Sequence, residues 1–289
     1  QPLVPADFLI SSGSLIPMAA LDAIGLMDEA LFIDHVDTEW CLRARALGYR
    51  LFGDHPEEAL PAAVGIELFH NFTLLHDDIM DKAEIRRNQP AVHIKFSENS
   101  AILSGDVMAF LAYQNLMESK TDRLTEIMAL FTHTAREICE GQQLDMDFES
   151  RTDVSADEYM EMIRLKTAVL LGCSLKTGGL LGGCQAMFAE VLYQAGINLG
   201  LAFQLQDDYL DTFGNENQFG KKIGNDIVSN KKTFLLIEAL KRADEHLKKE
   251  LLAWIEKKNF DREDKINAVQ TIFKELRIGE VTKKKINEY

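Results

Sequence analysis

The sequence predicts an all-α fold: a bundle of long helices, preceded by an N-terminal segment of a different texture. Three observations carry this. From about Glu57 onward, apolar residues recur at helical spacing over long stretches. Pro90 is the only proline after Pro61, so little there interrupts a helix. The alternating apolar and polar runs bounded by turn pairs that mark strands do not occur in this part of the chain.

The elements follow in order. Pro61–Leu75 is an apolar stretch that runs unbroken into Asp77-Asp78-Ile79-Met80-Asp81. Glu98–Met117, Asp122–Gln143, Ala156–Leu171, Ala186–Leu210, Lys232–Lys257 and Arg262–Leu276 are expected as helices. Gly178-Gly179 and Gly182-Gly183 fit either a helix break or a close helix contact. The stretch 215–225, with Gly220 and Gly224, is expected as a loop. Lys283-Lys284-Lys285 is most simply a solvated helix face. In residues 1–53, Phe8–Ile16 and Ala30–Val36 are short apolar runs that suit strands, and Thr38–Leu47 suits a short helix stopped by Gly48. The chain is accordingly divided into residues 1–53 and 54–289.

At 289 residues and 46% hydrophobic, the chain has enough apolar material for one large core or two modest ones. A formal net charge of −15 argues against generic binding to nucleic acid or an anionic membrane, since both would repel it. An anionic substrate then needs metal cations or a local basic cluster. The four cysteines show no C-x-x-C pair, which fits reduced thiols in a cytoplasmic protein. The start lacks the basic and apolar regions of a signal peptide. No apolar run is expected to span a bilayer; even Leu15–Met27 is broken by Asp22.

In a helix, residues four apart share a face. Asp77 and Asp81 therefore point together with Asp78 beside them, and Asp207, Asp208 and Asp211 repeat the same spacing. Carboxylates crowded on one turn repel one another unless cations neutralise them, and hard oxygen ligands suit Mg²⁺. One such cluster is as readily an exposed acidic face. Two of identical spacing, each preceded by an apolar stretch (Phe72–Leu75 and Leu199–Phe203), point to a metal site. Basic residues accompany them: Arg86-Arg87 after the first, Lys221-Lys222 and Lys231-Lys232 after the second, and Lys166-Thr167 between. Arginine offers forked donors and lysine a mobile point charge for phosphate oxygens.

From about Asp54 to the end the chain resembles the trans-isoprenyl diphosphate synthases, the farnesyl and geranylgeranyl diphosphate synthase group. The resemblance rests on residues 67–81 (ELFHNFTLLHDDIMD), 86–90 (RRNQP), Gly105-Asp106, Lys166-Thr167, 203–211 (FQLQDDYLD) and 220–226 (GKKIGND). It implies a helical bundle around a central apolar cavity, a homodimer, and Mg²⁺ as cofactor. It implies condensation of an allylic diphosphate with isopentenyl diphosphate to a farnesyl or geranylgeranyl product. By the same resemblance, Asp77, Asp78, Asp81, Asp207, Asp208 and Asp211 form the metal motifs, with Asp77, Asp81 and Asp207 holding the ions. Lys166, Lys221, Arg86 and Lys231 then meet the allylic diphosphate, while Thr167 and Gln204 stabilise the allylic cation. His70 and Arg87 are implied to bind isopentenyl diphosphate, and Phe72 and Thr73 to limit product length. Taken alone, His70 reads as a hydrogen-bonded core histidine.

The family's G-K-R-x-R-P motif does not occur in this sequence. Residues 1–53 instead resemble a fragment of a family 2 glycosyltransferase of the rhamnosyltransferase kind, through residues 8–14 (FLISSGS), 32–43 (FIDHVDTEWCLR) and Gly48-Tyr49-Arg50. Asp37 would then stand where that family has its base. The nucleotide-sugar half is missing, so no sugar transfer is expected. The chain reads as a composite joined near Gly53-Asp54, with isopentenyl diphosphate binding weakened and the allylic site retained. Separate titration of the two substrates checks this; tight isopentenyl diphosphate binding would contradict it. A class I terpene cyclase is the nearest rival, but its second metal motif uses Asn, Ser or Thr, and Glu. A non-catalytic partner subunit would typically lose one acidic cluster.

Overall fold

The computed structural model describes residues 4–6, 51–53, 56–87, 89–214 and 223–289, with 4–6, 51–53 and 56–58 described by backbone alone. Among these residues the architecture is all-α. Two minute antiparallel ladders are the exceptions: β1 (Val4–Ala6) pairs with β2 (Leu51–Gly53), and β3 (Ile85–Arg86) with β4 (Gln89–Pro90). The candidate strands and helix at residues 8–47 lie outside the described residues, as do the residues that carry the glycosyltransferase likeness.

Helix α1 (Pro56–Met80) lies along α3 (Glu98–Met117), and the short α2 (Val92–Lys95) packs against α3. Helices α4 (Leu124–Ser150), α6 (Val169–Leu181) and α7 (Ala186–Phe213) complete the main bundle with α5 (Ala156–Ile163). A capping box fixes the start of α5: the Ser155 hydroxyl accepts from the Glu158 backbone N–H, and the Glu158 carboxylate accepts from the Ser155 N–H. Phe69, Leu116, Phe131, Tyr159, Val169 and Leu205 are buried in the bundle's core. A second, smaller core joins α8 (Asn225–Ser229), α9 (Phe234–Arg242), α10 (Glu245–Glu256), α11 (Arg262–Glu275) and α12 (Ile278–Ile286) around Leu235, Leu251, Phe273 and Ile278.

The helix Glu98–Met117 falls where the sequence places it. Other expectations need correction. Lys232–Lys257 is two helices, because the Asp244 carboxylate accepts from the Leu247 N–H and starts a new one inside a run of good helix formers. Ala156–Leu171 is not a uniform helix: Arg164–Ala168 form a π-helical turn between α5 and α6. Of the glycine pairs, Gly178 and Gly179 lie inside α6, while Gly182 ends it and Gly183 follows at φ +76°. A Cβ on Gly179 would stand 2.6 Å from Leu192 Cδ1, so a close helix contact and a helix end occur together. Helix α7 is long and apolar enough, by length and composition alone, to cross a membrane, which the sequence reading did not anticipate. It packs here against α6, α12 and the π-turn.

Cys173 is fully buried in the main core, and burial pushes its thiol up to about 11. Cys173 is therefore expected to stay unmodified by a thiol-specific disulfide reagent in the native protein and to react on unfolding. Mass mapping of the labelled cysteines checks this.

Candidate active site

The site is built where the C-terminal end of α1, the C-terminal part of α4, the π-turn and the C-terminal part of α7 meet. Asp77 and Asp78 lie in the last turn of α1 and Asp81 directly follows it; Asp207, Asp208 and Asp211 lie near the end of α7. Lys166 bridges two elements from the π-turn: its Nζ lies 3.0 Å from Asp77 Oδ1 on α1 and 2.6 Å from Asp145 Oδ2 on α4. The π-turn is held between two glycines. A Cβ on Gly141 of α4 would stand 2.4 Å from the Lys166 backbone nitrogen, and one on Gly200 of α7 would stand 2.4 Å from Ala168 Cα. Only glycine lets both helices approach this close, and the extra residue of a π-turn is a frequent device at functional sites.

Lys231 stands beside Asp226. Its Nζ is 4.0 Å from Asp226 Oδ1. Its ammonium is held well above the ordinary lysine range, first by Asp226, against the cost of burial, and then by Asp145, Asp208 and Asp81.

The six clustered aspartates have different partners. Asp78 is buried and takes Arg86 as a fork, with Nε donating to Oδ2 at 2.8 Å and the second guanidinium nitrogen 2.7 Å from Oδ1. Asp208 is 2% exposed; its Oδ2 accepts a short hydrogen bond from the Tyr159 hydroxyl, and its Oδ1 accepts from Gln204 Nε2 at 3.0 Å. Asp211 accepts from the backbone N–H groups of Asn225 and Asp226 at 3.3 and 3.0 Å. Burial, and then the charge of Asp226, raise Asp211 to about 7. Asp81 is more open to solvent and is raised to about 6, by desolvation among its neighbours and then by Asp77. Asp145 behaves oppositely: although burial opposes it, Lys166 and then Lys231 hold it below the usual carboxylate range.

Hard carboxylate oxygens fit Mg²⁺, and three buried cluster oxygens, Asp77 Oδ1, Asp78 Oδ1 and Asp207 Oδ1, have no hydrogen-bond partner among the described residues; the first two face Lys166 and Arg86. Among the described residues no three His, Cys, Asp or Glu side chains converge as a complete metal site.

The remaining expected residues are placed as follows. The Thr167 hydroxyl donates to Gln204 Oε1 at 3.0 Å, bringing that pair together. Arg87 lies in the β3–β4 turn with φ +50°. His70, two turns before Asp77 on α1, has Nδ1 3.9 Å from Glu67 Oε2. The Thr73 hydroxyl donates to the His70 carbonyl of its own helix. The Phe72 ring lies 5.3 Å from Phe69 and 4.7 Å from His76. Lys221 is outside the described residues. Sequence reasoning passed over Asp145, Tyr159 and Asp226. Ending α4 at Gln143 excluded Asp145, although Gly141 inside the same helix pattern marked a close approach there.

The sequence matches the polyprenyl synthetase family over residues 41–273. The chain belongs to that family. The geranylgeranyl diphosphate synthase of Methanosarcina mazei is 45% identical over 203 residues, covering 70% of this chain and 61% of that protein. The short chain isoprenyl diphosphate synthase of Methanocaldococcus jannaschii is 40% identical over 225 residues, covering 78% of this chain and 68% of that one. A crystal structure of a geranylgeranyl pyrophosphate synthase superposes with a TM-score of 0.78 at 43% identity, over 82% of this chain and 73% of that one. The chain spans roughly three fifths to two thirds of the length of these curated relatives. The family match begins at residue 41, ahead of the boundary at residue 53 drawn from texture.

Proposed function

We propose that this polyprenyl synthetase family member is a Mg²⁺-dependent trans-prenyltransferase that joins an allylic diphosphate to isopentenyl diphosphate, giving a farnesyl or geranylgeranyl diphosphate. The supporting observation is the placing of basic side chains among the acidic ones: Lys166 bridges Asp77 and Asp145, and Arg86 forks onto Asp78. Crowded carboxylates interleaved with ammonium groups suit a polyanion shared between metal and protein. The relatives' names point to the same substrate class.

Asp77, Asp81 and Asp207 would hold Mg²⁺, which when bound supplies positive charge to the departing diphosphate. Lys166, Lys231 and Arg86 meet the diphosphate oxygens, and their charge strengthens the same stabilisation as the C–O bond breaks. Lys221, outside the described residues, is implied by the family resemblance to join them. Thr167 and Gln204 present oxygen atoms to the allylic cation. The apolar bundle interior below Asp77 keeps water from that cation. Isopentenyl diphosphate, held by His70 and Arg87, attacks through its double bond, and the released diphosphate takes the proton.

Incubation with isopentenyl diphosphate, allylic diphosphates of graded length and Mg²⁺ tests the reading. Longer diphosphates are expected. Hydrocarbon products would indicate a cyclase, and no turnover with intact substrate binding would indicate a non-catalytic subunit.

We also propose a homodimer in the cytoplasm. Leu103, Val107 and Phe110 fall on one face of α3 and are 65%, 56% and 75% exposed, a row of large apolar side chains that water does not favour. Phe110→Glu is expected to convert the dimer to monomer in sedimentation analysis. An unchanged sedimentation coefficient would remove α3 from the interface.

A further inference from the structure

Gln204 has a side-chain amide whose two ends are nearly isosteric and opposite in polarity. In this site its ends are assigned by their neighbours. Nε2 donates to Asp208 Oδ1 at 3.0 Å, and Oε1 accepts from the Thr167 hydroxyl at 3.0 Å. Asp208 is in turn fixed by the Tyr159 hydroxyl, which donates to its other oxygen across 49 residues of sequence. Tyr159 and Asp208 are 1% and 2% exposed, so water does not compete for either. The chain of bonds runs from α5 through α7 to the π-turn: Tyr159, Asp208, Gln204, Thr167.

This arrangement has a directional consequence. With the Tyr159 hydroxyl donating to Oδ2 and Gln204 Nε2 donating to Oδ1, both Asp208 oxygens act as acceptors, and that arrangement takes the nitrogen end of the amide. The oxygen end is therefore turned to Thr167, the side on which the reacting carbon is placed under the proposed function. An amide oxygen stabilises positive charge developing on carbon, and an amide N–H opposes it. Pre-set dipoles of this kind act without reorganisation at the moment of reaction.

We propose that Tyr159 is a positioning residue which, through Asp208, fixes the oxygen end of Gln204 toward the allylic cation. Asp208 then serves the amide rather than a metal ion. The inference rests on the prenyltransferase reading and adds to it a residue that makes no contact with substrate.

Tyr159→Phe removes one hydroxyl and keeps the ring in its buried place. The expected result is a fall in kcat on the order of tenfold, smaller than the ~10²–10³ for removing a donor that acts directly. The KM for the allylic diphosphate and the Mg²⁺ concentration for half-maximal rate stay unchanged. Asp208→Asn, whose amide can present either polarity to Gln204, gives a similar fall with the same KM. It also serves where Tyr159→Phe fails to fold. In a Gln204→Leu background, Tyr159→Phe has no further effect, since a residue acting through Gln204 cannot act without it. Wild-type kcat in Tyr159→Phe, a rise in the Mg²⁺ requirement in Asp208→Asn, or losses that multiply in the Tyr159→Phe, Gln204→Leu double variant would each overturn the inference. If Gln204→Leu alone turns over at the wild-type rate, the proposed role of Gln204 fails, a separate and recognisable outcome.

Discussion

Lys166→Ala is expected to lower turnover by about 10²–10³-fold, the range for removing an oriented charge that acts on a developing anion. The side chain is only 21% exposed, and its ammonium stands between Asp77 and Asp145. Burial works against its charge, yet Asp77 and then Asp145 keep its proton affinity above that of an ordinary lysine. The group therefore remains cationic throughout the neutral range. Its removal takes away the diphosphate partner of the proposed mechanism and leaves Asp77 of α1 and Asp145 of α4 without the charge between them. Binding and chemistry both suffer, so kcat falls and the KM for the allylic substrate rises. Lys166→Arg keeps the charge but not the point geometry, and recovers part of the loss. Steady-state assays of the three proteins at matched Mg²⁺ decide the matter. Turnover of Lys166→Ala within a few-fold of wild type would remove Lys166 from the leaving-group site.

Phe72→Ala is expected to lengthen the product by at least one five-carbon unit. Phe72 lies five residues before Asp77, a little more than one turn into the bundle. Its ring heads an aromatic series: Phe69 at 5.3 Å, then Phe131 at 5.0 Å from Phe69, then Tyr113 at 5.0 Å from Phe131. Under the proposed function, a growing apolar chain anchored at Asp77 would run toward this wall. Truncating its uppermost member opens room without touching the charged groups, so the rate of the first condensation changes little. Phe69 is 3% exposed and packed on both sides, and truncating it costs about 3–5 kcal/mol of stability in addition. The two variants thus separate product length from packing. Chromatography of the dephosphorylated products reads the result; an unchanged distribution in Phe72→Ala would show that the chain grows elsewhere.

How much of this was legible beforehand depends on the scale of the signal. Helical periodicity is repeated many times over, so α3, α7 and α11 could be placed closely from sequence. The break at Asp244 rests on a single side chain capping a helix, and helix propensity on both sides concealed it. The acidic clusters were legible because two identical spacings reinforce each other. Their internal division of labour was not, because spacing along α7 cannot say that Tyr159 reaches Asp208 or that the Asn225 and Asp226 amides reach Asp211. Such assignments depend on elements distant in sequence. Asp145 illustrates this: its importance comes from Lys166, 21 residues away on another element.

The π-turn at Arg164–Ala168 makes residue count a constraint in its own right. Each residue removed from a helix rotates everything downstream by about 100° relative to what precedes it. Deleting one codon here would give a smoother helix and would also swing the face of α6 away from α7. At that crossing, a Cβ on Gly196 would stand 2.6 Å from Gly172 Cα, so two bare backbones meet. After such a rotation a side chain would replace Gly172 at the contact and the two helices would be forced apart. Any alignment or redesign of this chain that closes the apparent surplus residue would therefore preserve nearly every amino acid and still lose the crossing that sets Thr167 against Gln204.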